Sequence, residues 1–353
     1  MKTFMKIILV FVCLVLMGLG FILYESLFAG NDFPEERNKI IYINKGMKYD
    51  DLVKKLVHFG VLKRRFFFDI TVWLINADTT FLVGKYQLKS GLTNRELINI
   101  FNTGRAIIPI EVTIPEGLRI KMIARILQRE LEIDSARYVN LTRDKLLLQH
   151  FQIDASSLEG YLFPSTYQFE WQMNEEEIIT KQIETGKRLF QELQLEKKAK
   201  KFELTLHEIL NLASIVEGET RIDSERAIIA GVYINRLRKN MPLQADPTIQ
   251  YVIPNGPRRL KVSDYKFQSP FNTYLHFGLP PGPINNPGKS SILAVLNPRI
   301  SKNIFFVANG TGGHTFSSNY NDHMSAVRKL RELLKERERE KRTFDSLENS
   351  AKK

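Results

Sequence analysis

The hydrophobic pattern falls into three regimes along the chain. Residues 7–24 carry no charge at all, which meets the length of roughly 18 apolar residues needed for a helix to span a bilayer. Lys2 and Lys6 precede this run, and Glu25, Asp32, Glu35 and Glu36 follow it. Positive charge before the span and acidic charge after it predict a cytoplasmic N-terminus (1–6), a transmembrane helix over 7–27 and an exported remainder. A cleaved signal peptide is the alternative, with Leu27 and Ala29 as a poor small-x-small site; the run is longer than the usual h-region of about 7–15 residues. The polar stretch 31–38 carries Pro34 and reads as a linker, so 28–38 is expected to connect the anchor to the exported body.

Beyond it the period shortens. A strand is predicted over 40–43 and a helix over 49–59, with Leu52, Val53, Leu56 and Val57 on one face. A second helix over 64–75 and an extended segment over 84–88 follow. Thr93 with Glu96 three residues later is a capping-box signature, so a helix starts there and runs to 101. The order strand, helix, helix, strand over 39–105 resembles a LysM-like module, a sugar-binding fold. In the third regime, 107–114 is β-branched and bounded by Pro115 and Gly117, hence a strand. Helices are predicted over 120–131, 136–149, 175–195, 206–217 and 225–238. The segment 241–321 is rich in Pro, Gly and Asn, with a short strand over 304–308; irregular chain of this length generally forms the walls of a site. Met324, Val327, Leu330 and Leu334 then recur at helical spacing. The fold class is α+β: one transmembrane helix, the small βααβ module, a larger mixed domain over 106–342 and a polar tail over 343–353.

Composition narrows the chemistry. Cys13, inside the apolar run, is the single cysteine, which excludes a disulfide framework and any Cys-ligated metal in the exported part. The net charge of +12 fits nucleic acid, membrane surface or anionic polymer, and export makes membrane headgroups and wall polymers the partners rather than nucleic acid. No H-E-x-x-H or Gly-x-Ser-x-Gly occurs, and His314 and His323 are too far apart for a helical metal pair. The stretch from Gly282 to Ser290 ends in Gly-Lys-Ser, but five residues separate Gly282 from Gly288 where a phosphate loop needs four, and Pro287 removes a backbone N–H.

Glu217 is the carboxylate best placed for chemistry. It shares a helical stripe with Leu206, Leu210 and Ala213, and desolvation there would favour the proton-bearing form that a general acid needs. Periodicity alone equally allows a helix-end glutamate paired with an arginine such as Arg221. Glu219, about 200° further round, is expected to face elsewhere unless Gly218 breaks the helix.

Longer strings carry a resemblance. Ala213-Ser214-Ile215-Val216-Glu217-Gly218-Glu219-Thr220, Val232 to Leu237 and Leu243-Gln244-Ala245-Asp246-Pro247-Thr248 resemble the membrane-bound endolytic murein transglycosylases. Ile114-Pro115-Glu116-Gly117, Glu159 to Tyr167, Tyr274 with Gly278 to Ile284, and Gly312-Gly313-His314-Thr315-Phe316 match the same family, in family order. The resemblance implies an anchored enzyme of the cytoplasmic membrane that cuts nascent peptidoglycan, needs no metal or cofactor, and has peptidoglycan synthases as candidate partners. The family's catalytic glutamate follows Ala-Ser-Ile-Val and maps to Glu217; Gly218 stands where many relatives carry a longer polar residue. Within these blocks Glu159, Tyr161, Asn235, Gln244, Asp246, Tyr274 and His314 are candidates for sugar contact or for hydrogen bonds that tie loops down. Two other functions fit the same features: a tethered glycan-binding protein that does not cut, and a hydrolase with Asp246 or Glu219 as second carboxylate.

Overall fold

The computed structural model describes residues 1–34 and 38–351, with side chains described as far as 341. It is a mixed α+β chain that opens on a helix, Lys2–Leu27, of 26 residues. At about 1.5 Å per residue such a helix exceeds the roughly 30 Å of a bilayer core. Its mean hydropathy is 2.9 and none of its apolar window is buried.

The chain divides into two compact units, the first of which includes this helix. The first comprises Met1–Val112, Leu127–Ile133 and Tyr167–Asn174. Its centre is the antiparallel pair Lys39–Ile43 and Gly84–Leu88, with Ile41 opposite Tyr86. Helices Tyr49–His58 and Arg65–Leu74 connect these strands, and Asn94–Thr103 follows. Alternation places Ile41, Ile43, Tyr86 and Leu88 on the inner face, where they meet Leu52, Leu56, Phe68, Leu97 and Phe101. The capping box is formed: Thr93 Oγ1 accepts from Glu96 N–H at 3.2 Å and Glu96 Oε2 accepts from Thr93 N–H at 2.8 Å. Gly104, at φ 71°, ends that helix in the left-handed conformation that only glycine adopts without strain.

The expected linker is partly structured. Gly30–Asn31 pairs with Leu92–Thr93, and the buried Asn31 side chain bonds Leu92 O, Asn94 Oδ1 and Lys63 N. The end of the long helix is also tied down, because Ser26 O accepts from Thr71 Oγ1 at 2.6 Å. The part of the linker at 35–37 lies outside the described residues.

The second unit comprises Thr113–Ile126, Asp134–Thr166 and Glu175–Lys353. Helix Leu206–Glu219 runs through its core, packed against Asp223–Arg238 and Lys289–Leu296. Ile209, Leu210, Leu212, Ala213, Ile215 and Val216 are all fully buried, so the helix is enclosed on every side and carries no single apolar stripe. Around this core lie Ser135–Leu141, Lys145–His150, Glu175–Glu192 and the strand pair Phe305–Ala308 and His314–Ser317. The single helix expected over 136–149 is two, because Asp144 accepts from Leu146 N–H and Leu147 N–H and starts a new one. The segment 241–321 is less irregular than its composition implies: it contains helices Asp246–Val252 and Lys289–Leu296.

Candidate active site

The Glu217 helix begins with its own capping box, Thr205 with Glu208, and continues unbroken through Gly218 to Glu219. A methyl group at Gly218 would lie 2.7 Å from Pro247 Cβ. Glycine therefore lets the start of Asp246–Val252 close against the end of the Glu217 helix.

Glu217 itself stands among donors, a setting the apolar pattern did not imply. Its Oε2 accepts from Ser291 Oγ at 2.8 Å and from the Gly288 backbone N–H at 3.1 Å, and lies 2.9 Å from Arg226 Nη1. The partner is thus Arg226, three residues into the next helix, and not Arg221. Both side chains are sheltered, Arg226 at 7% exposure and Glu217 at 8%. Burial works against the Arg226 charge, but its bonds to Glu217 and Asp223 outweigh that and hold the guanidinium above its usual range. All the donors that reach the carboxylate converge on one oxygen. Among the described residues Oε1 accepts no hydrogen bond, and Glu217 lines a groove of about 830 Å³ shared with Glu116, Arg119, Asp246, Pro247 and Asn285.

A second carboxyl comes with it. Gly288 gives its N–H to Glu217, and a Cβ on the same residue would stand 1.9 Å from Glu116 Cδ. Burial and the neighbouring Glu217 charge push the Glu116 carboxyl above its ordinary range. Gly117, at φ 73°, completes the approach: a Cβ there would come within 3.3 Å of Glu217 Cγ.

The other candidates are scattered over several settings. Asp246 lines the groove, and its Oδ1 accepts from Tyr274 OH at 2.7 Å. Burial pushes Asp246 above the usual carboxylate range, against the pull of that bond. Glu219 also borders the groove, but its carboxylate accepts a short bond from Tyr233 OH, and burial pushes it up to about 8. Glu159 is buried and accepts from Ile120 N–H and Asn286 Nδ2; burial pushes it up to about 8 as well. Tyr161 lies away from Glu217, stacked on His207 with a 2.9 Å bond between OH and Nδ1, beside a separate cavity of about 690 Å³. Asn235 donates to Ser301 O and Asn303 O. Gln244 accepts from Arg236, and His314 bonds Glu225 through its ring Nδ1 at 2.7 Å and its backbone N–H at 2.8 Å. Asn235, Gln244 and His314 therefore fasten loops to helix Asp223–Arg238 or beside it. Among the described residues no cluster of three or more His, Cys, Asp or Glu side chains could hold a metal ion.

Sequence reasoning missed Arg226, Ser291 and Asn286 altogether. Asn286 is buried and ties Leu118, which lines the groove, to the Glu159 segment, donating to Leu118 O and Glu159 and accepting from Gly160 N–H and Leu162 N–H. Glu116 was visible inside its Pro-Glu-Gly motif, yet only the turn around Gly288 shows which carboxylate it meets.

Comparison with known proteins gives a consistent set of relatives. The sequence model of the YceG-like family matches residues 41–329. An endolytic murein transglycosylase of Bacillus subtilis (strain 168) is 30% identical over 264 residues, covering 70% of this chain and 73% of that protein. One from Streptococcus pneumoniae (strain D39) is 28% identical and covers 91% of this chain, which spans 64% of that longer protein. The crystal structure of a yceG-like protein from Listeria monocytogenes superposes with a TM-score of 0.59 at 28% identity, covering 82% of this chain and 99% of that one.

Proposed function

Since the chain belongs to the YceG-like family, we propose that it is an endolytic peptidoglycan lytic transglycosylase, cutting the bond between N-acetylmuramic acid and N-acetylglucosamine within nascent strands. The helix Lys2–Leu27 anchors it in the cytoplasmic membrane with its body outside, and the unit built on Lys39–Ile43 and Gly84–Leu88 is read as a LysM-like, glycan-holding module. Strand-length control in wall assembly follows from an internal cut made close to the membrane.

The observation that carries this reading is the division of labour within Glu217. Oε2 is fixed by Arg226, Ser291 and Gly288, while among the described residues Oε1 has no donor and faces a groove of about 830 Å³. In its protonated form, a carboxyl held this way carries the proton on Oε1 and can hand it to the glycosidic oxygen as the C1–O bond breaks. The C6 hydroxyl of the same N-acetylmuramic acid then attacks C1 and returns its proton to Glu217. A 1,6-anhydro end forms, water is not consumed, and one carboxyl suffices where hydrolysis needs two.

The test uses full-length protein in detergent with polymerised glycan. Glu217→Gln should lower formation of anhydro ends by roughly 10²–10⁴-fold, the range for a lost general acid/base, while strand binding persists. Retained cleavage by this variant sinks the assignment. The nearness of Glu116 gives the hydrolase reading a specific second carboxyl, and mass spectrometry of the cut ends separates the two: reducing ends mean hydrolysis and anhydro ends mean transglycosylation.

A further inference from the structure

The groove at Glu217 does not stop at its own walls. Arg119, Met122 and Pro257 also border a second cleft of about 490 Å³, which continues over Lys121, Arg125 and Arg143. Four cations thus share one depression, on two segments of the same unit. Arg119 stands at the junction and is held there, its guanidinium 5.1 Å from the Tyr251 ring centroid and its Nη1 donating to Tyr251 O at 3.3 Å. Lys121, Arg125 and Arg143 are exposed, and none forms an ion pair among the described residues. The acidic side chain in the cleft is Glu159, whose carboxylate is turned to Ile120 N–H and Asn286. Because burial pushes it up to about 8, it carries little negative charge at neutral pH and leaves the cations uncompensated.

A solvated basic face is the ordinary fate of such residues. Here, however, the charges line a concave space continuous with the groove and one of them is pinned at the entrance, an arrangement that concentrates field on a bound anion. The sugar backbone of a stem-bearing strand is neutral, and its negative charge sits on the peptide stems attached to alternate sugars. We infer that the cleft of Arg119, Lys121, Arg125 and Arg143 is an anion subsite that takes the carboxylates of a peptide stem next to the bond being cut. This rests on the transglycosylase reading and adds to it a preference for stem-bearing strands. Carboxylates are favoured over a lipid pyrophosphate because stems recur beside every internal bond, whereas a pyrophosphate occurs at one end only.

The experiment compares full-length protein in neutral detergent with its Arg125→Gln/Arg143→Gln variant on two lipid-free polymers, one with free stem carboxylates and one with those groups amidated. On the first, the variant's KM should rise by roughly fivefold or more, the scale of two exposed ionic contacts, with kcat little changed. On the second, the parent should already show the higher KM and the substitutions should add nothing. Lysine at both positions should restore the low KM, which separates charge from fold damage. Equal losses on both polymers, or none on either, overturn the subsite. Lipid-linked strands serve as a third substrate, and a loss confined to them overturns the carboxylate assignment in favour of pyrophosphate. If the parent yields no anhydro ends from either polymer, the transglycosylase reading fails first and the subsite goes with it.

Discussion

At the scale of single residues the site is organised by what glycine omits. Gly288 contributes an N–H to Glu217 and leaves the space that Glu116 occupies. Gly288→Ala should therefore drive the exposed end of Glu116 toward solvent, at the low end of the about 1–3 kcal/mol that overpacking costs. Adding Glu116→Ala should recover most of that loss, since the colliding atoms are gone. A double-mutant cycle by denaturant unfolding reads this directly, and strictly additive losses would show that the two residues do not compete for one space. Ser291→Ala removes one of the donors on Glu217 Oε2 while Arg226 and Gly288 remain. Anhydro-end formation should fall by several-fold up to about tenfold, matching a net hydrogen bond of about 1 kcal/mol. An unchanged rate would mean that Ser291 plays no part in holding the carboxylate.

At the scale of elements, local signals were legible where one short stretch of chain contains both partners. Thr93 and Glu96 are three residues apart, and their capping box is formed as the spacing predicts. The βααβ order was readable for the same reason, since its strands alternate and its helices have one apolar face. Glu217 needed more than periodicity: its helix is buried all round, so the stripe through Leu206, Leu210 and Ala213 did not single it out, and the family wording did. Helices Asp246–Val252 and Lys289–Leu296 were hidden because each is short and sits among prolines and glycines. In retrospect Pro247 at the first turn is a favourable helix start. Arg226, Ser291 and Glu116 reach Glu217 only through the fold, across up to 101 positions of chain in the case of Glu116, reading 217 − 116, and no local pattern could pair them. The Thr205 and Glu208 box, unnoticed in the sequence, offers a test of how far the Glu217 helix depends on its own start. Thr205→Ala should cost about 1 kcal/mol and lower the melting temperature by roughly 2–4 °C, with the Glu217 end, about 18 Å away at 1.5 Å per residue, left active. A loss of activity larger than the loss of folded protein would show that the cap also shapes the site.

At the scale of the whole molecule, the second unit buries carboxyl groups it does not neutralise with ion pairs. Burial pushes both Glu159 and Glu219 up to about 8, and Glu116 and Asp246 are shifted in the same direction. In the unfolded chain these groups lose their protons near pH 4–4.5, roughly the ordinary carboxylate range. Between that value and pH 8 the folded state therefore holds more protons than the unfolded one, and stability must fall as pH rises. The contribution is complete below about pH 4 and is lost progressively as the pH climbs through the folded-state values. His323, shifted down by burial and by Arg236, works the other way, as one group against Glu159 and Glu219. Asp264, held down to about 2 chiefly by Arg258, affects stability only at lower pH, where its contribution disappears as the solution is acidified through its folded value. The melting temperature of the protein should thus be higher near pH 5 than near pH 8. Glu219→Gln, which keeps the shape and a partner for Tyr233 but has no proton to lose, should flatten that slope. Calorimetry across this range decides the matter: a melting temperature that rises toward pH 8, or a slope indifferent to Glu219→Gln, would mean that the buried carboxyls are charged in the folded protein.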